Sequence, residues 1–403
     1  MFNNFHLDEF VAKFVIKRPV SLFANDMQAN REALQAAIEG ASMLVIGAAG
    51  TIGSNFVKAA LPFKPAKLVV VDINENGLTE FVRDCRSESG FLLPSDFKSY
   101  PINFSDKVFN KIFANEGPFD IVANFAAHKH VRSEKDIFSI EAMIENNVIN
   151  AKSLLDLLVQ HPPRHFFCVS TDKAANPVNI MGASKKLMEE MIMAYSRDLK
   201  ITTARFANVA FSNGSLLAGF IERVAKRQPL SCPADVKRFF VSPKESGEIC
   251  LLSCILGETG DIFFPRLSPE EDLTSFASII DPFLQQFGCQ IILCKTEEEA
   301  RLATPLIAEN KYPVYLFNSE TSGEKLFEEF YTEKEKPLWD KYASLGVIKN
   351  RERQSRAEID AVVSEIEQLF ARDANKQNVV TLLTSLLPGF KHIETGLNLD
   401  QKM

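Results

Sequence analysis

A short apolar run, Met43-Leu-Val-Ile46, breaks directly into Gly47-Ala-Ala-Gly50-Thr-Ile-Gly53, and a helical pattern begins at Ser54. A buried strand that turns at once into a helix through glycines is the opening unit of a parallel α/β sheet, and few other folds accommodate it. Glycines at that turn let the backbone approach a pyrophosphate, and the helix N-terminus offers aligned N–H groups. Such loops also serve plain tight turns, so the following strand decides. Lys67 to Val71 is apolar and ends in Asp72, near the ~20-residue separation expected of a ribose-binding acid. A carboxylate there accepts hydrogen bonds from both ribose hydroxyls and repels a 2′-phosphate, which favours NAD over NADP. Gly47, Gly50, Thr51, Ile52, Gly53 and Asp72 are therefore the first expected cofactor contacts.

The alternation of strand and helix continues. Lys98 to Phe104 reads as a strand whose end, Asn103-Phe104, would border an adenine. Phe119 to Phe125 is the next buried strand, followed by Ala126, Ala127, His128, Lys129, His130 and Val131. The two alanines leave room for a cofactor, while Lys129 and His130 face whatever lies beyond. Asn146-Asn147 interrupts an apolar-faced helix, either as a kink or surface pair or with Asn147 turned to the pocket. Phe166 to Val169 then delivers the chain to Ser170, Thr171, Asp172 and Lys173; Asn176-Pro177 makes a turn, and Met181-Gly-Ala-Ser-Lys185 opens a helix. A hydroxyl, a carboxylate and an amine at the end of a buried strand are costly unless used or paired. Taken alone, Asp172-Lys173 also reads as a strand-end ion pair in water, worth little. Beyond a strand from Ile201 to Phe206 come Asn208, the polar turn Ser212–Ser215 and a helix from Leu216 to about Arg227. Lys237-Arg238-Phe-Phe-Val241 sets Arg238 against aromatics, suited to gripping a diphosphate or equally to a solvated charge beside a core strand.

The 403 residues are enough for one large α/β domain and a smaller lobe. Three regions are expected: an N-terminal helical arm (1–41), a dinucleotide-binding domain that contributes to the substrate site (42–265), and a C-terminal α/β and helical extension (266–403). In the arm, Asp26 is the expected cap of a helix from Met27 to Glu39, with Gly40 as its stop. In the extension, Gln290–Cys294 and Tyr312–Phe317 read as strands, the run Glu320–Lys325 precedes a charged tail, and helices span about Ala357–Ala371 and Asn378–Leu387. Residues after Gly389 would be ordered only by docking. A net charge of −7 argues against a general nucleic-acid or membrane-surface binder. The seven cysteines form no CxxC pair and no metal-ligand spacing; they read as reduced core thiols of a cytoplasmic protein. No stretch approaches the ~20 apolar residues of a membrane span.

With these residues in view, the chain resembles the nucleotide-sugar 4,6-dehydratases of the extended short-chain dehydrogenase/reductase superfamily. The likeness is strongest to the UDP-N-acetylhexosamine 4,6-dehydratases of bacterial surface-polysaccharide pathways. It covers roughly residues 43–265 and rests on Gly47–Gly53, Ala126–Val131, Ser170–Ala174, Asn176–Lys185, Arg205–Val209 and Arg238–Phe240, all in order. The resemblance implies a Rossmann-type doubly wound parallel sheet, bound NAD and a UDP-sugar substrate. It implies C4 oxidation, loss of water across C5–C6 and hydride return to C6. Most of the superfamily carries Y-x-x-x-K; here the tyrosine position is Met181 and the lysine is Lys185. Methionine cannot act as a general base, but a subgroup of membrane-anchored polysaccharide dehydratases is similar in carrying this methionine, and the chain resembles their catalytic portion without the membrane segment.

By this resemblance Lys173 is the base at C5, its pKa lowered by partial burial, and Asp172 the acid for the C6 hydroxyl, its pKa raised by burial. Thr171 would relay the C4-hydroxyl proton with help from Lys185, which also holds the nicotinamide ribose. Asn147 and Lys129 would border the cofactor. Lys129, His130, Asn208, Ser215 and Arg238 would hold the substrate. The superfamily's habit of pairing through helices implies a homodimer or larger oligomer. Three alternatives remain open: a nucleotide-sugar 4-epimerase, a dehydratase that stops at a 5,6-unsaturated product, and a non-catalytic NAD-binding regulatory protein.

Overall fold

The computed structural model describes residues 5–319, 325, 328–349 and 353–394. Its strands are β1 (Ser42–Ile46), β2 (Lys67–Val71), β3 (Asp96–Tyr100), β4 (Ile121–Asn124), β5 (His165–Val169), β6 (Ile201–Ala204), β7 (Asn208–Val209) and β8 (Leu230–Pro233). There follow β9 (Lys237–Val241), β10 (Asp261–Pro265), β11 (Leu273–Ser275), β12 (Gln290–Cys294), β13 (Lys311–Phe317), β14 (Pro337–Leu338) and β15 (Leu345–Lys349). One nine-stranded sheet runs in the order β14-β15-β10-β6-β5-β4-β1-β2-β3. From β3 through to β10 every neighbouring pair is parallel. Strands buried on both faces have no reason to alternate, which is why β1, β2, β4 and β5 read as continuous apolar runs.

Strand order reverses at β1, flanked by β2 on one side and β4 on the other. A crevice therefore opens beyond the carboxyl ends of β1 and β4, the place where open α/β sheets bind ligands. The glycine turn and the Ala126–Val131 loop leave the sheet there. Helix Pro243–Leu256 presses on helix Thr51–Ala60, and Gly247 allows it: a Cβ there would fall 2.1 Å from the Asn55 carbonyl oxygen.

A smaller lobe carries two three-stranded sheets, β11-β9-β7 and β12-β13-β8, over its own apolar core. The N-terminal arm serves both bodies. Phe10, Val11 and Val15 enter the core of the smaller lobe, whereas Phe23, Leu34 and Ile38 enter the main core.

Several expectations need correction. The arm's helix is broken into Ala24–Ala29 and Arg31–Ile38. Asp26 is not its cap but lies buried inside the first piece, where its carboxylate accepts the N–H groups of Ala343 and Ser344, each at 2.8 Å. The strand expected to reach Phe104 ends at Tyr100, because beyond it the side chain of Asn103 accepts the N–H of Ser105 and closes a turn. The main sheet also does not end at residue 265: β15 pairs antiparallel with β10, and β14 with β15. Leu345, Val347 and Ile348 are buried in that pairing, apolar positions masked in sequence by their charged surroundings. Helices Arg356–Phe370 and Lys376–Leu386 lie close to their expected spans. The chain after Gly389 docks on the turn below the Asp-Lys pair, with the Ile393 N–H on the Val178 carbonyl at 2.9 Å. Of the run Glu320–Lys325 only Lys325 falls within the described residues. All seven cysteines are buried and unpaired, and among the described residues no helix is long and apolar enough to cross a membrane.

Candidate active site

The glycine turn is built by sterics. Gly47 has φ +77°, and a Cβ on it would meet the Ala126 amide nitrogen at 2.6 Å. A Cβ on Gly53 would stand 2.2 Å from the Gly47 carbonyl oxygen, so this glycine lets the helix start beside the turn. Gly50 is the N-cap of helix Thr51–Ala60, with Ile52 in its first turn. Asp72, at the end of β2, accepts the Ala49 N–H at 3.0 Å on one oxygen and the Asn74 N–H at 2.9 Å on the other. The acid is thus fixed against the glycine turn, one bond on each oxygen, with acceptor capacity left over. Asn103 and Phe104 follow β3 on the same edge of the sheet, but Phe104 is packed into the main core.

Three loops meet over the crevice. Asn147 is buried in a π-helical turn, where its side chain accepts the His128 N–H (2.9 Å) and donates to the His128 carbonyl (2.9 Å) and to Ser184 Oγ (3.0 Å). It is neither a surface residue nor a free pocket group: it splints the loop carrying Ala126 and Ala127 to the helix Ile180–Tyr195. Lys129 Nζ donates to the Asn213 carbonyl at 3.1 Å, the Asn213 N–H donates to Thr51 Oγ1 at 3.0 Å, and the ring of His130 lies over Gly214. Partial desolvation lowers the pKa of both Lys129 and His130, the latter helped by the nearby charges of Lys129 and Arg132, although both residues are exposed.

The polar row at the end of β5 is a single charge cluster. Thr171 Oγ1 (2.8 Å), the Lys173 N–H (2.9 Å) and Lys173 Nζ (3.2 Å) all donate to Oδ1 of Asp172, which is buried. Burial opposes the charge on Lys173, but Asp172 and Glu328 outweigh it and raise the pKa. That reverses the lowering expected from burial alone; what the sequence did not show was a second carboxylate, Glu328, with Oε1 3.7 Å from Nζ. Lys185 behaves in the opposite way. It is buried, donates to the Val169 carbonyl (2.6 Å) and Met188 Sδ (3.1 Å), and burial lowers its pKa. Thr171 is bonded to Asp172 and Lys185 to Val169, so the expected relay pair is not joined in this structure. Met181 is buried, its N–H on Glu134 Oε1 at 2.9 Å. Gly182 lets this helix begin against the row, since a Cβ there would lie 2.7 Å from the Lys173 carbonyl.

Behind the row lies a charge network in which Glu189 and Arg205 are fully buried and Glu335 is partly exposed. Ser170 Oγ donates to Glu189 at 2.6 Å, and Arg205 clamps Glu189 with two bonds at 2.9 and 2.8 Å. Arg205 also bonds both oxygens of Glu335 at 2.9 Å and the Phe330 carbonyl at 3.0 Å. Burial alone would raise the pKa of Glu189, yet Arg205 holds it down to about 2. Of the expected substrate residues, Ser215 caps helix Leu216–Ala225 and Asn208 begins β7. Arg238 is buried on β9 and donates to the Lys237 and Lys325 carbonyls, each at 2.9 Å. Sequence reasoning missed Glu134, Glu189, Glu328 and Glu335; the one available signal was Arg205, a buried charge directly after β6 that requires an acidic partner.

The sheet order, the switch point and the glycine turn define an α/β protein with a Rossmann-type doubly wound fold. Residues 43–350 match the family described as "polysaccharide biosynthesis protein", and the chain belongs to it. An uncharacterised membrane protein of Methanocaldococcus jannaschii is 31% identical over 254 residues, covering 61% of this chain and 73% of that one. The UDP-N-acetylglucosamine 4,6-dehydratase (inverting) of Campylobacter jejuni strain 81-176 is 26% identical over 255 residues, with 61% and 72% covered. The capsular polysaccharide biosynthesis protein CapD of Staphylococcus aureus is 24% identical over 338 residues, 82% of this chain but 52% of that longer one. Among solved structures, Pen from Bacillus thuringiensis superposes with a TM-score of 0.64 at 16% identity, covering 82% of this chain and 99% of that one. The dTDP-glucose 4,6-dehydratase of Bacillus anthracis, solved in complex with NAD, gives 0.52 at 16% identity, with 73% and 88% covered.

Proposed function

We propose that the protein is an NAD-dependent UDP-N-acetylhexosamine 4,6-dehydratase acting on UDP-N-acetylglucosamine in surface-glycan synthesis. The observation that carries this reading is the Thr171-Asp172-Lys173 row itself, a carboxylate and an ammonium 3.2 Å apart at the end of a central strand, two strands across the sheet from the one that carries the glycine turn. The named dehydratase relatives and the match to a polysaccharide-biosynthesis family support it. Gly47, Gly50 and Gly53 leave the backbone bare where a pyrophosphate approaches, and Asp72 keeps acceptor capacity for a ribose. These residues fit a dinucleotide, and Lys185 is the candidate neighbour of its nicotinamide ribose.

NAD, when bound, supplies the reversible two-electron oxidation at C4. The remaining chemistry falls to side chains of the cluster. The 4-ketone acidifies the C5 proton; Lys173 removes it once the ammonium has given up its own, and a carboxyl of the same cluster protonates the departing C6 hydroxyl. Met181 offers no proton at the position where an epimerase of this fold would use tyrosine, so the site is better furnished for elimination than for epimerisation. Asn208, Ser215 and Arg238 are the proposed contacts of the uridine diphosphate, and Lys129 and His130 those of the sugar or the nicotinamide.

The test is incubation with UDP-N-acetylglucosamine and NAD in heavy water, followed by mass spectrometry. Loss of one water with deuterium incorporated into the product is expected. An isomer of unchanged mass would make the protein an epimerase, and no reaction with any nucleotide sugar would make it a binding protein.

A further inference from the structure

The turn between the polar row and helix Ile180–Tyr195 is held from far along the chain. Its consecutive residues Asn176, Pro177 and Val178 each give their carbonyl to a donor beyond residue 320. Lys325 Nζ donates to the Asn176 carbonyl at 2.6 Å, the Lys391 N–H to the Pro177 carbonyl at 3.4 Å, and the Ile393 N–H to the Val178 carbonyl at 2.9 Å. His392, between the two tail donors, reaches further in. Its imidazole is 9% exposed, and Nε2 stands 3.7 Å from Oε2 of Glu134, whose other oxygen accepts the Met181 N–H at 2.9 Å. His392 Nε2 makes no hydrogen bond among the described residues. A polar ring so buried is a costly way to fill space, and filling is already done by Phe390, which is buried in the main core. The tail is pinned at both ends, by Phe390 in the core and by Glu394 on Lys376 at 2.5 Å, at the start of helix Lys376–Leu386. Residues 390–394 lie outside the stretch 43–350 that matches the family.

Resting on the dehydratase reading, we propose that residues 390–394 are a positioning element of the candidate active site, acting through the Ile393 N–H and the His392 side chain. The row and Lys185 lie on either side of the turn that this tail holds. Gly182, in the first turn of the helix, already rests against the row, since a Cβ there would lie 2.7 Å from the Lys173 carbonyl. The tail keeps it there: Ile393 fixes the turn by its backbone, and His392 fixes the helix start through Glu134. What is set is the placement of Lys173, the proposed base, relative to Lys185, the candidate neighbour of the nicotinamide ribose. A misplacement of about 1 Å between such groups costs on the order of 100-fold in rate. His392 and Ile393 make no hydrogen bond or ion pair to the glycine turn or Asp72 among the described residues, so the cofactor half should not register their loss.

The test separates the tail's backbone bond from its side chains in the full-length protein. Ile393→Pro removes the N–H that Val178 accepts, whereas Ile393→Ala keeps it and trims an exposed side chain. With UDP-N-acetylglucosamine and NAD, Ile393→Pro is expected to lower kcat about 10-fold or more, with KM and the Kd of NAD within a few-fold of the wild type. Ile393→Ala should match the wild type. His392→Ala should behave like Ile393→Pro, and His392→Gln, which keeps a side-chain nitrogen for Glu134, should recover part of the rate. Hydrogen exchange read by mass spectrometry should quicken in residues 176–185 of Ile393→Pro and stay unchanged in residues 47–58. An unchanged kcat in Ile393→Pro and His392→Ala, an equal loss in Ile393→Ala, or a parallel loss of NAD binding would each overturn the proposal. A wild type that turns over no nucleotide sugar would remove the dehydratase reading, and the catalytic side of this proposal with it. Faster exchange confined to residues 176–185 would then still establish the tail's hold on the turn, and unchanged exchange would refute that as well.

Discussion

The two halves of the candidate site are made in opposite ways. The cofactor half is backbone: Gly47, Gly50 and Gly53 shape a turn within seven consecutive residues, and Asp72 ties it to the next strand. The proton half is side-chain charge drawn from distant parts of the chain, with Asp172 and Lys173 after β5, Arg205 after β6, Arg238 on β9 and Glu328 beyond β13. The contrast shows in the two lysines. Lys185 sits among a carbonyl, a thioether and apolar packing, and burial lowers its pKa. Lys173 sits twelve positions earlier between two carboxylates, and its pKa is raised. Burial alone does not decide the charge of a lysine; the number of anions buried with it does.

The halves should therefore fail separately. The largest effect is expected from Arg205→Met, which removes the clamp from buried Glu189, leaving it only Lys186 at 3.7 Å, and from partly exposed Glu335. Denaturant unfolding should show a loss of about 3–5 kcal/mol, with Ser170 and the segment of Phe330 released from their shared anchor. The same network sets an acid limit. Glu189 is held at about 2 in the folded protein and returns to an ordinary carboxylate value on unfolding, so the unfolded chain binds its proton first as pH falls. Its stabilisation is complete at neutral pH, declines below the ordinary glutamate range and is gone once pH falls through about 2. Stability curves of the wild type and Glu189→Gln should accordingly differ most at neutral pH and converge in acid; parallel curves would show that the clamp carries no net stability. A smaller effect, about 1–3 kcal/mol, is expected from Gly53→Ala, whose added methyl would stand 2.2 Å from the Gly47 carbonyl. Its diagnostic is weakened NAD binding by calorimetry with the Lys173 charge cluster undisturbed.

What was legible in the sequence follows the same division. The strand–glycine–helix turn, Asp72 and the buried parallel strands were readable because they depend on local periodicity and on steric rules confined to a few residues. Asp26 was misplaced because a carboxylate near a helix start looks like a cap, whereas its partners, the amides of Ala343 and Ser344, lie at the far end of the chain. The main sheet was cut short at residue 265 because β15 is brief and surrounded by charges, and only its pairing with β10 reveals it. Lys173 lies just after β5, where the strand-end reading put it, but the sign of its pKa shift depended on Glu328, a residue with no motif of its own. Asn147 was noticed as polar in an apolar helix; that its amide bridges His128 and Ser184 required the fold.

The separation of the two halves, and with it the proposed elimination chemistry, is tested most directly by Lys173→Ala. NAD and UDP-N-acetylglucosamine binding should stay within a few-fold of the wild type by calorimetry, since the glycine turn and Asp72 make no contact with this side chain among the described residues. Exchange of the C5 proton with heavy water, followed by mass spectrometry, should fall to background. Wild-type exchange in the alanine protein would contradict the assignment of Lys173 as the base at C5, and with it the reading of the row after β5 as elimination machinery.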